Sequence, residues 1–168
     1  PSSAASDVYK RQVPEKTDGY EGFFHLTEMS GSVTVATLRY IIRDHDREKF
    51  EEKKALFAAC AEKINEVYGD GTAEVDITDS YYNMKEKILP HFHLIERAEN
   101  AFRANGVAPM CVPIRGGTDG ANLSWAGLPC PNLSTGGYNY HGVREWIPSA
   151  SLDIMTNVVV TLTASFAE

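Results

Sequence analysis

Residues 22–43 read Gly-Phe-Phe-His-Leu-Thr-Glu-Met-Ser-Gly-Ser-Val-Thr-Val-Ala-Thr-Leu-Arg-Tyr-Ile-Ile-Arg. Strand character begins at Gly22–Leu26, and the small residues of 30–32 then indicate a turn. After the turn, Leu38, Tyr40 and Ile42 alternate with residues of a second face. Such alternation on both sides of a turn is typical of paired strands, so the pattern predicts a β-hairpin.

A long helix is predicted directly after the hairpin. Asp46 is a good N-cap residue, and it precedes a run rich in Glu and Lys whose apolar positions recur at helical spacing. The sequence Gly69-Asp70-Gly71 should end this helix. Alternation around Val75 and Ile77 predicts a further strand over residues 73–84. Strands with one covering helix make an α+β layer.

The pattern changes near residue 89, where helices and short strands begin to alternate. Alternation of this kind is typical of an α/β layer, so the predicted fold class is α/β, with an α+β part followed by an α/β part. Residues 1–12 are small, polar and aperiodic, and we interpret them as a disordered or extraneous leader. The predicted elements are a helix around 94–102, a strand over 107–114, a helix capped by Thr118 and running through about Ala126, a strand over 128–133 and a closing helix over 152–166.

Composition excludes several classes of function. The net charge of −7 argues against a nucleic-acid-binding protein, and no apolar run approaches the roughly 20 residues of a membrane helix. Cys60, Cys111 and Cys130 are odd in number and lack the spacing of a metal site. We therefore expect reduced thiols and a cytoplasmic protein that binds neither nucleic acid nor membrane.

Two glycine-rich loops hold the candidate functional residues. His141 ends a loop rich in glycine, proline and aromatic residues, and an imidazole suits both metal binding and proton transfer. A histidine that only hydrogen-bonds within the turn is the alternative. Arg115 precedes Gly116-Gly117-Thr118, where exposed backbone N–H groups and a guanidinium suit a carboxylate. The alternative there is a surface arginine beside an ordinary helix cap. Arg43 is, by its neighbours, a salt-bridge partner of Asp44 or Asp46.

These motifs resemble the peptidase T family of tripeptide aminopeptidases, in the dinuclear-zinc exopeptidase and aminoacylase clan. The resemblance covers roughly residues 13–168. It is carried by the segments Pro113-Ile-Arg-Gly-Gly-Thr-Asp-Gly-Ala121, Gly127-Leu-Pro-Cys-Pro-Asn-Leu133, Thr135-Gly-Gly-Tyr-Asn-Tyr-His-Gly142, Asp79-Ser-Tyr-Tyr-Asn-Met84, Tyr40-Ile-Ile-Arg-Asp44 and Gly19-Tyr-Glu-Gly-Phe23. It implies a partial lid (dimerisation) domain over 13–88 and the C-terminal part of a catalytic domain over 89–168.

The resemblance also implies roles for individual residues. His141 matches the last metal ligand, on one of two zinc ions, while Arg115 and Arg43 match substrate-side arginines. From the same segments we assign Gly117 and Asn139 to substrate binding. The family usually follows the ligand with Gly-Lys-His-Glu, whereas this chain has Gly-Val-Arg-Glu over residues 142–145. That difference leaves the ligand in place.

The other metal ligands and the general base of the family have no counterpart here, so we expect no catalytic residue in this chain. The resemblance implies a C-terminal fragment of a metallo-exopeptidase. The complete enzyme would bind two zinc ions, act on small peptides in peptide catabolism and dimerise through the lid. Two alternatives remain open at this point. One is a non-catalytic peptide-binding or dimerisation module, and the other is a clan relative that hydrolyses acyl-amino acids.

Overall fold

The computed structural model describes residues 12–167, and it confirms a mixed α/β fold. Gln12 already belongs to the folded part, since its carbonyl accepts the Phe24 N–H at 2.8 Å; the rest of the predicted leader lies outside the described residues. The elements are β1 (Phe23–Gly31), β2 (Ala36–Arg43), α1 (Arg47–Tyr68), α2 (Lys85–Ile88), α3 (His93–Ala104), α4 (Asp119–Trp125), α5 (Ser149–Ala164) and two short 3-10 helices at Pro14–Lys16 and Leu89–His91.

The chain divides into two compact units. Unit 1 is Pro1–Asn83 with Pro113–Gly116, of which residues 12–83 and 113–116 are described. Unit 2 is Met84–Val112 with Gly117–Glu168, described up to residue 167. The segment 113–116, which carries one of the candidate arginines, thus packs with the N-terminal half of the chain. The assignment of a lid and a catalytic domain stays a prediction.

The predicted hairpin is confirmed, with one irregularity. β1 and β2 pair antiparallel from Phe23 opposite Arg43 to Gly31 opposite Ala36, and the register shifts between Leu26 and Glu28. Thr27 is therefore an extra residue on β1, a β-bulge, and its hydroxyl donates to the Arg39 carbonyl at 3.1 Å. Without the bulge, the side chains of β1 beyond it would change face relative to β2.

The long helix α1 covers the hairpin and is capped at both ends as predicted. The Asp46 side chain accepts the Lys49 N–H at 3.0 Å, and Gly69 ends the helix with a φ of 104°. Phe57 on α1 packs between two strand residues, with its ring 6.5 Å from that of Phe24 and 5.0 Å from that of Tyr40. These aromatic contacts form the core of unit 1.

Unit 2 is built around the pair α3 and α5. Val158 of α5 is fully buried, and the small residues Ala98 and Ala101 of α3 let the two helices approach closely. The Asn105 side chain joins the end of α3 to α5, since its amide donates to the Ala101 carbonyl at 2.9 Å and to Thr161 Oγ1 at 3.1 Å. The helices predicted around 94–102 and over 152–166 are thereby confirmed.

Three predicted strands are wrong. Residues 73–84, 107–114 and 128–133 form no strand, and among residues 12–167 only β1 and β2 make a sheet. In the first segment, Asn65 binds the backbone of Ala73 through both its oxygen and its amide, at 2.7 and 2.9 Å. In the third, the Cys130 N–H donates to the Ser124 hydroxyl of α4 at 2.9 Å. Side chains thus satisfy backbone groups that a ladder would otherwise bind.

Candidate functional site

Arg43 lies at the end of β2 against an aromatic ring. Its guanidinium is 5.0 Å from the centroid of the Tyr81 ring, a cation–π contact, and burial lowers its pKa below the usual range for arginine. The guanidinium still carries its charge at neutral pH. Arg43 forms no ion pair with residues 12–167, so the expected bridge to Asp44 or Asp46 is wrong. Asp46 is the cap of α1 instead.

Asp44 forms a buried ion pair. Its Oδ2 lies 2.7 Å from Lys53 Nζ, and the two side chains are 2% and 11% exposed. Its Oδ1 accepts the Asp46 N–H at 3.0 Å. Asp44 thus ties the end of β2 to the first turns of α1, and it fixes the backbone on which Arg43 stands.

Arg115 is bound by residues of its own unit. Its Nη1 donates to the Thr17 carbonyl at 2.7 Å, its Nη2 donates to the Thr17 hydroxyl, and the guanidinium lies 4.8 Å from the Phe23 ring centroid. Of the five N–H groups of the guanidinium, three remain without a partner among the described residues: one on each terminal nitrogen and the buried Nε–H. Phe23 also pairs with Arg43 across the hairpin, which places the two candidate arginines beside one residue.

His45 is a further polar residue of unit 1, bonded to the residue before Arg115, that the sequence alone did not indicate as functional. Its Nε2 lies 3.2 Å from the Ile114 carbonyl oxygen, and its ring makes an edge contact with Tyr20. Three side-chain atoms of unit 1 are buried without a hydrogen-bond partner among the described residues: His45 Nδ1, Tyr81 OH and Arg115 Nε. The position of His45, two residues after a candidate arginine at a strand end, is the signal that could have drawn attention to it.

His141 stands in a short closed loop of unit 2. Tyr138 and Trp146 form the base of the loop, with two backbone hydrogen bonds of 2.9 and 3.2 Å and rings stacked 4.6 Å apart. His141 is exposed, its φ is 64°, and its imidazole makes no hydrogen bond to residues 12–167. A left-handed backbone is uncommon for a residue with a side chain, and such residues cluster at functional sites.

The other two predicted residues also lie in unit 2. Asn139 shares the loop of His141; its φ is 54°, and its Nδ2 donates to the Arg144 carbonyl at 3.2 Å. Gly117 is exposed and immediately precedes Thr118, whose hydroxyl accepts the Ala121 N–H and caps α4. Gly117 therefore stands at a helix start, as predicted.

A complete metal centre is not present in the part of the chain that the structure describes. No three side chains of His, Cys, Asp or Glu within it converge to hold a metal ion. A structural or catalytic zinc ion needs three or four protein ligands. Since the imidazole of His141 is exposed and makes no hydrogen bond to the described residues, this chain fits zinc as the donor of one ligand.

Two further observations bear on the class of protein. All three cysteines are free thiols. The helices of residues 12–167 are too short or too polar to cross a bilayer.

Comparisons with known proteins identify relatives of the chain. No protein-family model matches it. The chain is 48% identical over 153 residues to a peptidase T of Clostridium novyi and 51% identical over 158 residues to a peptidase T of Parabacteroides distasonis. These alignments cover 91% and 94% of the chain but 38% and 39% of the two relatives. The chain thus spans about two fifths of the length of the curated relatives it matches.

Two solved structures share the fold of this chain. A tripeptidase from Staphylococcus aureus superposes with a TM-score of 0.67 at 22% identity, over 95% of this chain and 43% of its own. An aminopeptidase from Bacillus cereus superposes with a TM-score of 0.64 at 20% identity, over 98% of this chain and 44% of its own. The resemblance to the peptidase T family is thereby confirmed over more than nine tenths of this chain.

Proposed function

We propose that this chain is the C-terminal part of a zinc-dependent tripeptide aminopeptidase, which hydrolyses the N-terminal peptide bond of tripeptides. The observation that carries the proposal is the identity of 48% and 51% to proteins named peptidase T. Because the chain spans about two fifths of those relatives, the activity belongs to the complete enzyme. Its remaining metal ligands and its general base lie outside residues 12–167.

His141 is the metal ligand of this chain in the proposal. When bound, zinc polarises the scissile carbonyl and lowers the pKa of water. An imidazole must offer a free nitrogen lone pair to bind a metal, and that of His141 is exposed and unbonded to the described residues. The closed loop between Tyr138 and Trp146 fixes the position of the His141 backbone. These two features support the assignment.

Arg43 and Arg115 bind the carboxylate of the peptide. Each retains guanidinium N–H groups beyond its observed contacts, and a guanidinium can bind a carboxylate through two parallel hydrogen bonds. Thr17 and Phe23 orient Arg115, while Tyr81 supports Arg43. Fixing both cations before the substrate arrives reduces the entropy lost on binding.

Gly117 and Asn139 contribute polar contacts to the substrate. Gly117 precedes the first turn of α4, where backbone N–H groups favour a negatively charged or carbonyl oxygen. The Asn139 carboxamide donates one N–H to Arg144, which leaves its oxygen and second N–H for a peptide group.

Assembly and location are proposed from surface features of unit 1 and from the thiols. Met29 and Leu38 face each other across the hairpin and are 71% and 48% exposed, an apolar surface that suits a homodimer contact. Changing Leu38 to Asp in the complete enzyme should shift its mass in solution from dimer to monomer.

Three unpaired cysteines are typical of the cytoplasm, which we propose as the location of the complete enzyme.

The metal role of His141 can be tested in the complete enzyme. His141→Ala should lower bound zinc and tripeptide turnover together, whereas His93→Ala, at an exposed histidine of α3, should change neither. Unchanged zinc content in His141→Ala would exclude the metal role. Tripeptide binding without hydrolysis by the unaltered protein would favour the binding-module alternative.

The arginines can be tested with a change of substrate. Arg115→Lys keeps the charge but loses the forked geometry, so KM for a tripeptide should rise while kcat changes little. A tripeptide with a C-terminal amide lacks the carboxylate, so its KM should be the same for the unaltered enzyme and for Arg115→Lys. An equal rise in KM for the two substrates would argue against carboxylate binding.

A further inference from the structure

The loop from Tyr138 to Trp146 must hold two residues in an unfavourable backbone conformation. Asn139 and His141 have φ values of 54° and 64°, which residues with a Cβ seldom adopt. Asn139 is well suited to its place, since short amide side chains tolerate this conformation and its Nδ2 is bonded within the loop. His141 has no such side-chain partner among residues 12–167, so another group must stabilise its backbone.

That group is the carboxylate of Glu145. Its Oε2 accepts the backbone N–H of His141 at 3.3 Å, and its own N–H donates to the Gly142 carbonyl at 3.1 Å. Glu145 thus binds the backbone of the loop at two points, the His141 N–H and the Gly142 carbonyl. A carboxylate is a stronger acceptor for an N–H than a neutral oxygen is.

We infer that Glu145 is a positioning residue for His141, acting on the backbone of the histidine and leaving its imidazole free. The inference rests on the proposed function, in which that imidazole binds zinc. Glu145 is the last residue of the Gly142–Glu145 segment. Within this segment the chain differs from the usual family sequence at residues 143 and 144 but keeps the glutamate. Groups that orient a metal ligand typically change metal affinity about 10- to 100-fold when removed.

The test compares three variants of the complete enzyme. Glu145→Ala removes the acceptor, Glu145→Gln keeps a side-chain oxygen at the same place, and Arg144→Ala changes a neighbouring exposed side chain that makes no hydrogen bond or ion pair with residues 12–167. Zinc affinity is measured by competition with a chelator. Hydrogen exchange of the His141 amide is measured in the zinc-free enzyme with ¹⁵N-labelled histidine. The thermal midpoint of each variant checks its folding.

Glu145→Ala should exchange the His141 amide faster and bind zinc at least about tenfold more weakly. Glu145→Gln should recover most of both losses, and Arg144→Ala should resemble the unaltered enzyme. Unchanged exchange in Glu145→Ala overturns the inference, and so does faster exchange with unchanged zinc affinity. Equal losses in the alanine and glutamine variants also overturn it.

Together with the His141→Ala variant described above, these measurements separate this inference from the proposed function. If His141→Ala binds zinc normally, the metal role of His141 fails. The exchange of the His141 amide in the zinc-free protein still reports whether Glu145 holds the loop, because that measurement involves no metal.

Discussion

Replacing Lys53 with methionine should destabilise unit 1 far more than an ordinary surface change. Lys53 Nζ lies 2.7 Å from Asp44 Oδ2, and these side chains are only 11% and 2% exposed. Methionine keeps most of the volume and the apolar stem but removes the charge. The Asp44 carboxylate would then stay buried with one hydrogen bond from residues 12–167, donated by the Asp46 N–H.

The size of the loss follows from the burial. At an effective dielectric constant of about 20, two charges 2.7 Å apart attract each other by about 6 kcal/mol, and the desolvation of both groups offsets much of this. Removing one partner of a buried pair leaves the other desolvated and uncompensated, which costs about 3–5 kcal/mol. Changing Asp44 to Asn as well removes that stranded charge, so the double variant should be more stable than Lys53→Met alone.

Hydrogen exchange of the amides in β1 and β2 measures this loss in unit 1. Both tryptophans, Trp125 and Trp146, lie in unit 2, so their fluorescence during urea unfolding reports the stability of unit 2 and is recorded separately. A loss below about 1 kcal/mol in Lys53→Met, the value of an exposed pair, would refute the reasoning. So would a double variant less stable than the single one.

Three further predictions concern neighbouring contacts. Gly22→Ala should destabilise unit 1 by about 1–3 kcal/mol in urea unfolding, because a Cβ there would overlap Asp44 Oδ2; a neutral effect would contradict the close packing. Asp46→Ala should cost about 1 kcal/mol, seen as loss of helix by circular dichroism, whereas Asp46→Asn should retain the cap. The hydrogen bond from the Tyr82 hydroxyl, followed by that from Lys54, lowers the pKa of Asp79 below its ordinary value, so this contact should persist at neutral pH and be lost as pH falls through the lowered pKa. Tyrosine fluorescence should record the loss in the unaltered chain and show no such transition in Asp79→Asn.

The sequence predicted the elements whose signals are local. The caps of α1 and α4 were read from Asp46 and Thr118, and the structure places the corresponding side-chain hydrogen bonds there. A cap is formed by residues three apart, so the sequence contains both partners. The hairpin was predictable for the same reason, although the bulge at Thr27 was not, since alternation alone cannot show an extra residue.

The strand predictions failed because a strand needs a partner that is distant in sequence. Val75 and Ile77 alternate as a strand should, yet their segment pairs with no strand among residues 12–167. Side chains of α1 hold it instead: Asn65 binds the Ala73 backbone, and Lys54 Nζ contacts the Asp79 carboxylate at 2.9 Å. Alternation reports which residues suit a pleated surface, not whether a ladder is available.

The candidate site shows the same limit of prediction from sequence patterns alone. Glycine and aromatic density predicted a fixed loop ending at His141, but spacing alone left a purely structural histidine open. The left-handed backbone at His141 adds what the sequence lacked, because L-residues are disfavoured there and glycine would have avoided the strain. Our proposal that the imidazole binds zinc accounts for a histidine kept in this conformation, with its imidazole exposed and its N–H bound by Glu145. On that proposal, His141→Gly should stabilise unit 2 in urea unfolding while removing the proposed zinc ligand, and destabilisation would show that the imidazole serves the fold.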